Sequence, residues 1–149
     1  MSLALVHSRA QSGVNAPEVR IEVHLAGGLP AVSIVGLPDA AVRESRDRVR
    51  AALQCSQLEL PQRRITINLA PADVPKDGSR FDLPIALGIL AASGQVPREA
   101  LRDVEFHGEL ALTGELRPIE GALPAVLAAA RAGRDIVLPL ENRTEASLA

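Results

Sequence analysis

Between Pro71 and Asp82 the chain gathers its densest set of reactive and ligating side chains: Asp73, Lys76, Asp77, Ser79, Arg80 and Asp82, with Gly78 among them. Two prolines, a glycine and three aspartates do not sustain a helix or a ladder, so the segment reads as a loop. It stands between a predicted strand and the start of a predicted helix, a place where backbone N–H groups hold small anions and where nucleophiles are often carried. Ser79 near Lys76 would suit a serine hydrolase, and the loop as a whole would suit a small anion or nucleotide. The same residue types also cap helices and tie down turns. The loop therefore has a ligand-binding reading and a purely structural one.

A second set is cationic. Arg43, Arg46 and Arg50 fall on one face of a predicted helix, and Arg63 and Arg64 follow it, an arrangement that could meet DNA phosphates. Glu44 and Asp47 are interleaved, with Arg43–Asp47 and Glu44–Arg48 at four-residue spacing, which favours a self-neutralised solvated face. His7, His24 and His107 lie on separate predicted strands, and His107 stands between Glu105 and Glu109 on one strand face. One histidine with two carboxylates is a weak metal signal, so no metal ligands and no catalytic residues are assigned. There is no Gly-Lys-Ser/Thr phosphate loop, and Gly27-Gly28 lacks the third glycine and following helix of a dinucleotide site.

The whole chain limits the choices further. With 149 residues it is expected to form one domain with one core. Its 16 basic and 18 acidic side chains give a net charge of −2, so any attraction to nucleic acid must be local. Phe81 and Phe106 are the only aromatic residues, which argues against a base-stacking surface. Cys55 is the single cysteine, so no intrachain disulfide forms, as fits a cytoplasmic protein. No stretch approaches the roughly 20 apolar residues of a membrane span.

The elements that must position these residues follow from periodicity. Ser2 to Ser8 reads as a strand. Val19, Ile21, Val23 and Leu25 alternate with Arg20, Glu22 and His24 in a second, and Ala31 to Val35 form a third, giving an opening meander. Asp39 is expected to cap a helix running to about Cys55, with Val42, Ser45, Val49, Ala52 and Leu53 inward. Ile65, Ile67 and Leu69 mark a fourth strand. Asp82 is expected to cap a helix from Leu83 to Ala92, apolar on every side and therefore buried. Val104 to Leu112 and Glu115 to Ile119 read as a hairpin about the two-residue turn Thr113-Gly114. A helix from Gly121 to Ala132, a strand at Ile136 to Leu138 and a helix from Glu141 complete the order.

Several of these segments together resemble a known family: Gly28-Leu-Pro, Ile34-Val-Gly-Leu-Pro-Asp39, Val42-Arg-Glu-Ser45, Arg48-Val-Arg-Ala-Ala52, Ile65-Thr-Ile-Asn-Leu-Ala-Pro-Ala-Asp73 and Phe81-Asp-Leu-Pro-Ile-Ala86. They look like the N-terminal domain of the ComM/YifB family, also called Mg-chelatase-like. Pro75-Lys-Asp-Gly78, Gly108-Glu-Leu110 and Gly114-Glu-Leu-Arg-Pro-Ile119 also resemble the proteolytic domain of Lon and the Lon-like domain of RadA. The resemblance implies an α/β (α+β) fold of the ribosomal-protein-S5 domain-2-like, Lon-protease-like kind, a mixed sheet with helices mainly on one side. Residues 1–149 would be a Lon-like domain from a longer AAA+ protein. It further implies ATP and Mg²⁺ for an ATPase module outside these residues, with no cofactor here. The implied partners are that AAA+ module, further copies in a hexamer-type ring, and DNA, with no membrane. The implied activity of the longer protein is a helicase promoting branch migration in natural transformation. In the Lon pattern the nucleophile lies two residues after the glycine, where this chain has Arg80, and the base lysine aligns with Leu123. The dyad is therefore absent, and the resemblance implies a non-catalytic domain.

Overall fold

The computed structural model describes residues 2–149. The strands are β1 (Ser2–Arg9), β2 (Glu18–Ala26), β3 (Ala31–Val35), β4 (Arg64–Ala70), β5 (Val104–Phe106), β6 (Glu109–Leu110), β7 (Leu116–Arg117) and β8 (Asp135–Val137). The helices are α1 (Ala40–Arg43), α2 (Ser45–Cys55), α3 (Asp82–Ala92), α4 (Ala122–Arg131) and the short α5 (Arg143–Ala146). Six strands form one sheet in the order β3-β4-β2-β1-β5-β8, and β6 and β7 form a separate ribbon. Pairing is antiparallel for β1/β2 and β2/β4 and parallel for β3/β4, β1/β5 and β5/β8, so the sheet is mixed.

Alternation decides which face is covered. Val19, Ile21, Val23 and Leu25 of β2 join Ile65, Ile67 and Leu69 of β4 and Ala4 and Val6 of β1 on the buried face. α3 packs on β1 and β2, and α2 packs beside it. The opposite face carries Leu3 and Leu5, both exposed, and the polar partners of each strand. α3 is buried nearly all round, as its uniformly apolar composition requires. Gly88 lets it lie close to the sheet, since a Cβ there would come within 2.5 Å of Val23 Cγ2.

Three expectations are corrected. The opening strands are no meander, because β4 lies between β2 and β3. A strand that leaves through helices and returns parallel needs a crossover, and α1 and α2 supply it, laying β4 beside β3. The helix after Asp39 is divided at Glu44 into α1 and α2. The long hairpin is also shorter than expected. Val104 to Phe106 belong to the main sheet, and only Glu109–Leu110 pairs with Leu116–Arg117, about a three-residue loop in which Ala111 N donates to Glu115 O. The break falls at His107-Gly108, where His107 N donates to Val137 O and Gly108 N turns to Arg80 O.

Candidate functional site

Asp39 fastens the middle of the polar loop. Its Oδ1 accepts from Val42 N at 2.7 Å, capping α1, while Oδ2 accepts from Gly78 N at 3.1 Å. Lys76 N donates to Leu37 O at 3.2 Å and Asp39 N donates to Lys76 O at 3.0 Å, a strand-like stitch between loop and turn. The turn depends on Gly36 (φ +105°), where a Cβ would stand 2.2 Å from Leu69 O on the neighbouring strand. This gives a physical reason for the glycine within Ile34-Val-Gly-Leu-Pro.

Lys76 is fully buried, and its ammonium donates to the Pro71 carbonyl within the same loop. Burial pushes its pKa down, against the opposing charge of Asp73. The Ser79 hydroxyl donates to Glu109 of β6, so it is engaged by a carboxylate and not by Lys76. Arg80 is buried, with Nη1 donating to Glu120 O at 2.9 Å at the start of α4, while Nε and Nη2 have no partner among the described residues. Burial lowers its pKa to about 10, with Glu120 opposing. Asp73 and Asp77 are exposed.

Asp82 corrects the expectation that it caps α3. Its side chain makes no cap and turns into the protein, where it is fully buried. Oδ1 accepts from Ser45 Oγ at 2.6 Å and Arg48 Nη2 at 3.1 Å, and Oδ2 accepts from Arg48 Nε at 2.7 Å and Leu110 N at 3.1 Å. One carboxylate thus joins α2, α3 and β6. Burial raises its pKa, and the Arg48, Ser45 and Leu110 hydrogen bonds pull the other way. Ser45 was readable as a polar interruption of the apolar stripe, the mark of a buried hydrogen bond.

A second buried network went unread in the sequence. Arg9 holds Glu105 through Nε and Nη2, both at 2.8 Å, and Arg134 Nη1 reaches the same carboxylate at 3.2 Å. His107 Nε2 stands 3.5 Å from Glu105 Oε1, and Ser8 Oγ lies 3.3 Å from His107 Nδ1. The expectation that Glu105, His107 and Glu109 share one strand face is corrected, because the chain breaks after His107 and Glu109 begins β6. Glu109 belongs with Ser79 and Arg117 instead. Among the described residues, no group of three His, Cys, Asp or Glu side chains could hold a metal.

Arg43, Arg46, Arg50 and Arg64 are exposed, and Arg63 is half-buried. The expected neutralisation is corrected in part: Glu44 lies 3.5 Å from Arg48, but among the described residues neither Glu44 nor Asp47 pairs with Arg43, Arg46 or Arg50. Near β3, Arg43 and Arg46 line one trench and Arg50 and Arg63 a larger one. Arg64 stands apart from both trenches.

Comparison with known proteins identifies the family. The family model described as subunit ChlI of Mg-chelatase matches residues 21–142. Competence protein ComM of Haemophilus influenzae is 56% identical over 148 residues, covering 99% of this chain and 29% of that protein. YifB of Salmonella typhimurium is 55% identical over the same span and coverage. Lon protease of Trichlorobacter lovleyi is 25% identical over 151 residues, covering 96% of this chain and 18% of that protein. The chain spans 29% of the length of ComM and YifB. With one model covering most of β2 through the turn before α5, and relatives matched almost end to end, the chain belongs to the Mg-chelatase ChlI-like family together with the ComM and YifB proteins.

Proposed function

We propose that this chain is a non-catalytic accessory module of a ComM-like AAA+ ATPase, helping its ring to assemble or guiding DNA during branch migration. The observation that carries the reading is how the polar loop is spent. Arg80 stands where the Lon pattern has its nucleophile, and Leu123 where it has its base. Lys76 is tied to Pro71 and Ser79 to Glu109. A carboxylate is a far weaker base than the amine of a Ser-Lys dyad, so Ser79 lacks the activation that acyl transfer needs. The loop then serves as a clasp between the turn before α1, β6 and α4. ATP and Mg²⁺ belong to the ATPase module, since this chain has no phosphate loop.

The test is to treat the chain with an acylating serine probe and to follow the Lys76 to Asp82 amides while adding phosphate or ATP. Neither labelling nor shifts are expected. Covalent labelling of Ser79 would replace the accessory reading with a serine hydrolase, and saturable shifts would replace it with an anion-binding loop.

The DNA-guiding form of the proposal is supported by the exposure of Arg43, Arg46 and Arg50, none of which has an acidic partner among the described residues. Titration with single-stranded and branched DNA at several salt concentrations tests it. Affinity no better than that of an R43A/R46A/R50A variant would remove DNA guidance and leave assembly.

A further inference from the structure

β3 is an edge strand, paired with β4 on one side only. Ala31 N donates to Arg63 O across that pair, so in a ladder of period two Ala31, Ser33 and Val35 turn their backbone groups toward β4. Val32 and Ile34 therefore aim their N–H and C=O groups out of the sheet. Both residues line open trenches: one of about 850 Å³ includes Val32, Arg50 and Arg63, and one of about 220 Å³ includes Val32, Ile34, Arg43 and Arg46. The trenches share Val32: the smaller follows β3 beside α1 and α2, and the larger opens between the start of β3, α2 and the Leu58 to Arg63 connection into β4. Glu59 lines the larger one, so arginines outnumber acids four to one across the pair.

We propose that the free edge of β3 takes up an extended acidic peptide segment as an added strand, with Arg43, Arg46, Arg50 and Arg63 receiving its carboxylates. Strand addition draws affinity from main-chain hydrogen bonds and selectivity from the flanking side chains. Charge complementarity selects acid. The edge also distinguishes peptide from nucleic acid. Val32 and Ile34 offer two donors and two acceptors, which a peptide backbone matches, whereas phosphate oxygens can only accept and would face two carbonyls. The proposal gives a partner to the accessory reading, on which it depends for purpose but not for geometry. Five residues of β3 suit a segment about 16 Å long.

The experiment uses the whole chain with three fluorescent probes: an octapeptide alternating Glu with Val, its Lys-for-Glu counterpart, and a single-stranded oligonucleotide. The acidic peptide is expected to bind at least tenfold more tightly than the basic one, more weakly as salt rises, and to slow hydrogen exchange at Val32 and Ile34. An R43A/R46A/R50A variant should lose at least tenfold in affinity. Val32→Pro removes an outward N–H that the β3/β4 ladder does not use, and should abolish peptide binding while sparing any contact that needs only the arginines.

If Val32→Pro misfolds by circular dichroism, exchange protection in the unsubstituted chain decides alone. Equal binding of both peptides, or no added protection at Val32 and Ile34, would overturn the proposal. So would preferential oligonucleotide binding that Val32→Pro leaves intact. If the triple variant self-associates while the acidic peptide fails to bind the unsubstituted chain, the arginines only guard an open edge. None of these failures bears on the reactivity of Ser79, so the non-catalytic reading stands or falls separately.

Discussion

Arg48 of α2 grips Asp82 at the start of α3 with two nitrogens, Nε at 2.7 Å and Nη2 at 3.1 Å, while its Nη2 also donates to Ala41 O at 2.7 Å. Removing one partner of such a pair strands a buried charge. R48A is therefore expected to lower unfolding free energy by about 2–4 kcal/mol, and S45A by about 1–2 kcal/mol. Denaturant unfolding checks both. An R48A loss no larger than that of S45A would mean the pair carries little of the α2–α3 junction.

Arg80 makes the opposite case. Its guanidinium is buried, yet among the described residues it makes a single hydrogen bond and leaves Nε and Nη2 unpartnered. Replacing a poorly satisfied buried cation by an apolar side chain of similar length is often neutral or favourable. R80M is expected to stay within about 1 kcal/mol of the unsubstituted chain or to exceed it in stability. Thermal and denaturant melts would show whether the buried charge is instead held for assembly.

Glu105 sets an acid dependence. Burial pushes its carboxyl up, but the neighbouring His107 ring, the Arg9 and Arg134 hydrogen bonds and the Arg9 charge outweigh this and bring it down to about 2 from an ordinary 4.5. Since the folded-state value is depressed, the ion contributes stability above pH 4.5 and loses it as pH falls toward 2. Allowing for screening, the contribution is about 2 kcal/mol. Asp82 acts in the other sense: its raised pKa gives stability at low pH that is lost as pH rises through its folded value. Guanidinium midpoints for E105Q and the unsubstituted chain should differ at neutral pH and converge toward pH 2. A constant gap would refute the linkage.

Two glycines with positive φ separate conformational strain from collision. G36A meets Leu69 O at 2.2 Å, a backbone atom that cannot swing aside, and is expected to cost about 3 kcal/mol or more. Gly78 has φ +80° with nothing within 4 Å of an added Cβ, so G78A should cost about 1 kcal/mol from the backbone alone. Similar losses at the two sites would mean that the turn before α1 yields easily.

The single elements were readable because their signals are local. Val19, Ile21, Val23 and Leu25 alternate, Asp39 stands where an N-cap must, and Leu83 to Ala92 could only be a buried helix. The place of β4 was not readable, because pairing is decided between segments far apart in sequence and the crossover leaves no mark on the strands it joins. Asp82 looked like a cap because helix starts attract aspartate. Its true partners, Ser45 and Arg48, lie 37 and 34 residues earlier. Glu105 was noticed beside His107, but its partners Arg9 and Arg134 escaped notice for the same reason: each is an ordinary surface residue until the fold brings the three together. Arg80 was identified as the wrong residue for a nucleophile, but its burial goes against the usual habit of arginine.

The position of β4 also governs the order in which the sheet can be completed during synthesis. β1 and β2 can close as a hairpin as soon as they emerge, but the second edge of β2 and the inner edge of β3 have no native partner until Arg64 to Ala70 has been made. A growing chain thus passes through a stage with β2 paired on one edge, β3 not paired at all and no α3 to cover them. That interval, longer at slow translation, is when the nascent protein is most exposed to pairing with the wrong neighbour.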